Sequence, residues 1–226
     1  MALTRNVALT AFLITLFLLS TILLIGRVMN DQRQDVIDSE IDRLYEDLAE
    51  IQTFFLLSEV YGDEMACLTF EQKIRDLDRS IWDLGIRLDQ YRAASEEFTK
   101  SSFYRDQKRV FNENQLVYMT LLRSLKDRCE YEQTIVAYFY TNSSSCPKCD
   151  DQAHVLTSIN TRMGHDIAIF SYDLELSIPS IGLLARYYEA DENLPCTVVE
   201  GTTFCGIHSR QQLMDAICEK SRSDHC

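Results

Sequence analysis

Proline is almost absent from this chain: three occur in 226 residues, and none precedes Pro147. Nothing before that position forces a helix to kink through a missing amide donor. An excess of basic charge is absent too, with 22 Lys and Arg against 35 Asp and Glu and a formal net charge of -13. That balance excludes nucleic acid as a partner bound through its phosphates, and no phosphate-cradling glycine loop is present. The four histidines, His154, His165, His208 and His225, show no paired spacing. A zinc site would need such a second ligand pair, so the expectation is a protein with no metal and no cofactor.

Cysteine is what the chain has in abundance, with eight residues. That number exceeds what a reducing compartment usually tolerates and points to an oxidising location. The length leaves room for a membrane segment, a helical region and one compact domain of about 100 residues.

Val7 to Ile25 carries no charge and is apolar apart from Thr10, Thr15, Ser20 and Thr21. About 20 such residues cross a bilayer as a helix, so residues 1–30 read as an N-terminal transmembrane anchor. A cleaved signal peptide is the alternative, but Ile25-Gly26-Arg27 leads straight into a polar helix with no small-x-small site. Arg5 on one side nearly balances Arg27 and Arg33 on the other. The surplus cysteines break that tie and place the C-terminal part outside the cytoplasm, as a single-pass membrane protein. A glycosylation sequon, Asn142-Ser143-Ser144, fits that side.

Residues 31–130 form a helical region. Ile37, Ile41, Leu44, Leu48, Ile51 and Phe55 alternate four- and three-residue steps along one helical stripe. The helix runs from the bilayer to about Ser58, with Gly62 as its left-handed stop. Ile74, Leu77, Ile81, Leu84, Leu88 and Tyr91 mark a second helix, interleaved with charges. The third, from Arg105 to Arg128, aligns Phe111, Tyr118, Leu122 and Leu125 but is interrupted by Asn114 and Gln115. Such faces must be buried, either in a hairpin or three-helix bundle or in a coiled coil between copies of the chain. In an up-down-up bundle Cys67 and Cys129 both fall at the end away from the membrane, where a disulfide would staple it. The other reading is two unpaired buried thiols.

From residue 131 to 226 the period changes to alternating strands and helices: strands at Ile135–Tyr140 and Ile167–Tyr172, helices at Asp150–Met163 and Ser180–Tyr188, and a closing helix at Ser209–Glu219. Cys196–Val199 and Thr202–Cys205 flank Glu200-Gly201 as a hairpin. This order implies a mixed sheet covered by helices, an α/β domain. A two-residue turn sets Cys196 opposite Cys205, which favours a cross-strand disulfide; a bulged turn would break that register. A second redox pair is the functional alternative for these two cysteines. Cys218 and Cys226 can close the C-terminal tail.

Cys146-Pro147-Lys148-Cys149 lies between the first strand and its helix. Two sulfurs at the start of a helix can alternate between dithiol and disulfide, because the helix dipole stabilises a thiolate there. Lys148 adds a cation, and Pro147 opens the first turn without wasting an amide donor. A static disulfide and half of a zinc site are the bland alternatives.

The runs YFYTNSSSCPKC, IFSYDLE, LARYYEADENLP and LPCTVVEGTTFCG resemble, in this order, the thioredoxin-like superfamily. The resemblance covers about the last 95 residues, and its C-P-x-C form is more similar to DsbA and glutaredoxin relatives than to thioredoxin. It implies Cys146 as the exposed nucleophile and Cys149 as the buried resolving thiol. It also implies Pro195 as the cis-proline facing Cys146, with Leu194 offering backbone groups to a substrate strand. The chain departs from thioredoxin where a buried acid is expected, since Ala137, Tyr138, Phe139 and Tyr140 supply none, and Ser145 replaces the aromatic residue before the first cysteine.

The expected function is a membrane-anchored thiol-disulfide oxidoreductase acting on cysteine-containing exported proteins and reset by a redox recycling partner. The alternative is a non-catalytic, disulfide-rich interaction or structural subunit of a membrane complex, assembled through the helical region, with homo-oligomers among its products.

Overall fold

A single helix of 60 residues, α1 (Ala2–Tyr61), forms the spine of the computed structural model. The structure describes residues 2–94, 100–129, 131–142, 145–221 and 226. Without proline, α1 continues from the apolar run into the amphipathic stripe with no break. Its first part is bare: the large apolar side chains from Leu9 to Met29 are exposed, with no protein covering them. Val7 to Ile25 spans about 28 Å at 1.5 Å per residue, long enough to cross a membrane. Three of the four hydroxyls within this stretch are satisfied by the helix itself, since Thr10, Thr15 and Thr21 donate to the carbonyls of Val7, Ala11 and Phe17 at 2.8–2.9 Å. Such back-bonding removes the cost of a bare hydroxyl in hydrocarbon.

The second half of α1 packs against α2 (Asp63–Ala94) and α3 (Ser102–Cys129) as a three-helix bundle within one chain. The stripes read from the sequence are its core: Ile37, Ile41, Leu44, Leu48 and Ile51 meet Ile74, Leu77, Ile81, Leu84 and Leu88, with Tyr118, Leu122 and Leu125 closing the third side. Gly62, at φ +92°, turns the chain between α1 and α2 in one residue, a conformation costly for any residue with a Cβ. This tight turn makes α2 start eleven residues earlier than Ile74, the first position of its apolar stripe, so Cys67 lies inside α2. Cys67 is disulfide-bonded to Cys129 at the far end of the bundle.

A four-stranded sheet follows, in the order β2-β1-β3-β4: β1 (Thr134–Tyr140), β2 (Ile167–Asp173), β3 (Cys196–Val199) and β4 (Thr202–Cys205). β1 pairs parallel with β2 and antiparallel with β3, and β3 and β4 form the hairpin. Glu200 (φ 46°) and Gly201 (φ 87°) form its two-residue turn, whose positive φ angles suit the twist of a tight hairpin. Both faces of the central strand are buried. Ile135, Ala137 and Phe139 join the core of the bundle together with α5 (Pro179–Tyr187), which contributes Ile181 and Ala185. Val136 and Tyr138 face the opposite way, onto Leu156, Ile159 and Met163 of α4 (Cys149–Met163) and Leu213 and Ile217 of α6 (Arg210–Lys220). A serine box caps α6, with Ser209 and Gln212 satisfying each other's backbone amides.

β2 is an edge strand, and α3 covers it with polar side chains. Gln115 Oε1 accepts from the Ser171 amide at 2.7 Å, and Asn112 Oδ1 accepts from the Asp173 amide at 2.8 Å. Gln115 of the polar break, together with Asn112, thus attaches helix to sheet, where buried amides pair edge groups that would otherwise be orphaned, whereas the buried Nδ2 of Asn114 has no such partner.

Candidate functional site

β1 ends at Tyr140, and beyond it the amides of Ser145 and Cys146 both donate to the Asn142 carbonyl, at 3.1 and 2.8 Å. Cys149 opens α4, and its amide donates to the Cys146 carbonyl at 3.0 Å. Cys146 and Cys149 are joined by a disulfide with their Cα atoms 5.4 Å apart. Pro147 and Lys148 are exposed, and Lys148 occupies the N-cap position without a side-chain capping bond. The exposed nucleophile expected from the sequence is instead 4% exposed, and Cys149 is 1% exposed. Beneath Cys149, the Tyr138 hydroxyl donates to its carbonyl at 2.6 Å. Burial, then the neighbouring Tyr140 and Asp150, hold that hydroxyl well above the usual tyrosine range, so it remains a proton donor.

The first turn of α4 carries Asp150 and Asp151. These carboxylates share the dipole's positive end with any thiolate at Cys146, an opposing charge to Lys148.

Pro195 is buried and Leu194 is half-buried, and the peptide bond between them is cis. Cys196, next in sequence, pairs across the ladder with Phe139 of β1. The start of β3 and the end of β1 therefore lie at one end of the sheet, the end from which the cysteine turn departs. Cys196 is disulfide-bonded to Cys205 directly opposite in the hairpin, with Cα atoms 4.0 Å apart. The Pro195 carbonyl accepts from Gly206, and the buried Gln152 of α4 accepts from the His208 amide at 2.8 Å. That second bond ties the loop after β4 to the first turn of α4. Cys218 and Cys226 close the tail with a further disulfide.

A polar cluster at the same end was not legible from the sequence. Asp173, at the end of β2 and 3% exposed, is ion-paired with Lys108 of α3. The Lys108 ammonium also lies over the rings of Tyr104 and Tyr140, at 5.6 and 5.2 Å. Burial opposes its charge, but Tyr140, Tyr104 and Asp173 together raise it above the usual lysine range. The pair was missed because its partners are 65 residues apart in sequence.

Asn142 of the sequon donates to both Glu175 carboxylate oxygens at 2.5 Å and accepts from the Ser145 amide; Ser143 and Ser144 lie outside the described residues. His225 lies outside them as well. Among the described residues, no group of three or more His, Cys, Asp and Glu side chains could hold a metal ion.

No family model matches the chain, and no curated protein matches it. A solved structure described as "Structure of a malarial protein" is similar to part of it, at 20% sequence identity and a TM-score of 0.33, covering 39% of this chain and 97% of that one.

Proposed function

We propose that the chain is a single-pass, membrane-anchored thiol-disulfide oxidoreductase whose C-terminal part is a thioredoxin-like domain on the oxidising side of the membrane. One observation carries the reading: a Cys-Pro-Lys-Cys disulfide at a strand-to-helix turn, on the same end of a mixed sheet as Pro195. The parallel β1-β2 pair beside an antiparallel hairpin is similar to the order of the thioredoxin-like family. Four disulfides among the described residues suit an oxidising compartment.

In the disulfide form, a substrate thiolate attacks the Cys146 sulfur and expels Cys149 as a thiolate, which takes up a proton. The second substrate thiol then attacks the mixed disulfide and releases Cys146. The substrate gains a disulfide, the Cys146-Cys149 pair gains two electrons and two protons, and exchange with a recycling partner's disulfide resets it. Exported proteins bound in extended form beside Leu194 and Pro195 are the substrates.

The burial of Cys146 favours a second reading, an inert recognition module. Measuring the Cys146-Cys149 reduction potential and peptide-dithiol oxidation, with Cys146→Ser alongside, separates the two. The oxidoreductase reading expects activity that this substitution abolishes. Activity absent in the parent, or unchanged by Cys146→Ser, refutes it.

A further inference from the structure

We infer that the Cys146-Cys149 turn faces the membrane, so that its partners are integral membrane proteins whose cysteine pairs stand about 10–20 Å above the hydrocarbon. This inference rests on the oxidoreductase and anchor readings proposed above. It comes from tracing heights along α1, which joins the apolar span to the bundle as one unbroken rod.

α2 runs back toward the span. Lys73 pairs with Asp47 and Glu50, Arg87 pairs with Glu40, and the Tyr91 hydroxyl bonds Asn30 and Gln34. α3 runs away from it, since Gln107 bonds Asp38 near its start and Arg128 bonds Ser58 and Glu59 at its end. The sheet is fixed at both ends to this ruler. Lys126 holds Glu200, in the hairpin turn beside the first residues of β1, at the far end. Lys108 holds Asp173 and contacts Tyr140, the last residues of β2 and β1, at the near end.

The cysteine turn follows Tyr140 and therefore lies at the near end. An electrostatic influence across the same end agrees. Burial opposes the charge of Arg92, in the last turn of α2, and Asp89 favours it most strongly, but Asp150, next to Cys149, also favours it. Asn30, Gln34 and Asp38 stand about 8, 14 and 20 Å beyond Ile25 along a helix, whereas Ser58 stands about 50 Å beyond it. The polar headgroup layer accounts for roughly the first 5–8 Å. Had the sheet docked the other way up, the same turn would stand about 50 Å out, beyond the reach of juxtamembrane cysteines.

The test uses the oxidised full chain in proteoliposomes with single-span helical reporters. Each reporter carries one cysteine pair in a short extended segment at the end of a rigid helix, either about 15 Å or about 50 Å beyond its apolar stretch. A soluble peptide dithiol of the same local sequence reports the chemistry alone. We expect the near reporter to be oxidised at least tenfold faster than the far one. Inserting 18 helix-forming residues after Arg27 adds five turns, preserves helical phase and lifts the turn by about 27 Å, which should reverse the preference. Equal rates for near and far reporters, with the soluble peptide still oxidised, overturn the orientation and leave the oxidoreductase reading standing. No oxidation of the soluble peptide overturns both.

Discussion

Asp78 sets a pH dependence that can be worked from the structure. It lies on α2 where bundle and sheet meet, accepting from the Tyr118 hydroxyl at 2.6 Å and from Gln133 Nε2, just before β1, at 2.5 Å. Burial raises its pKa from 3.8 to about 6, although both hydrogen bonds and the nearby His165 pull it down. The folded pKa therefore lies above the unfolded one. The stability this carboxyl contributes is fully present below about pH 4 and is lost as pH rises through about 6. Two pKa units correspond to about 3 kcal/mol, a large share of a typical folding free energy. Asp78→Asn removes the titration while keeping an acceptor for Tyr118, and its amide can meet Gln133 Oε1, which has no partner in the wild type. Urea unfolding of the full chain in detergent, followed by the fluorescence of Trp82, the one tryptophan, reads the result. Comparing variant with wild type at each pH cancels the other carboxylates. The variant should gain about 3 kcal/mol relative to wild type between pH 4 and pH 7.5. A difference independent of pH would refute the assignment.

Two further outcomes test the assembly. Replacing Cys67 and Cys129 together by serine opens a cross-link between residues 62 apart in sequence, which the chain-entropy relation equates to about 4 kcal/mol, measured by the same unfolding assay; no loss would mean that the bundle end is held without the staple. Gln115→Leu strips the acceptor from the Ser171 amide on the sheet edge and should cost about 1–3 kcal/mol, with that amide exchanging faster by hydrogen exchange; unchanged protection would show that Gln115 does not cap the edge.

The parts of this protein legible in the sequence are those that depend on local repetition. The stripe from Ile37 to Ile51 fixed both the helix and its buried face, because side chains at three- and four-residue steps share one face whatever they pack against. The β3-β4 register followed from a two-residue turn, which leaves Cys196 one partner across the ladder. The parts that were not legible depend on pairs distant in sequence. Gln115 interrupts an apolar stripe when α3 is considered alone, and only the neighbouring edge of β2 gives its amide, and that of Asn112, a purpose. The burial of Cys146 also escaped, since burial is set by the tertiary surroundings and not by the spacing of the motif.

The same distinction explains why the motif was readable and its direction was not. Cysteine spacing is local, so Cys146 and Cys149 announce themselves in four residues. Which way they face depends on Lys108 with Asp173 at one end of the sheet and Lys126 with Glu200 at the other. Each pair joins α3 to a different end, and reversing the sheet would break both. It would also exchange their partners, setting Asp173 toward Lys126 and Glu200 toward Lys108, so the choice of docking rests further on Gln115 and Asn112 of α3, whose acceptors meet the Ser171 and Asp173 amides. Polar side chains that look like ordinary helix solubility in the sequence thus select one of two dockings with the same apolar faces, and with it the side of the molecule on which the disulfide is presented.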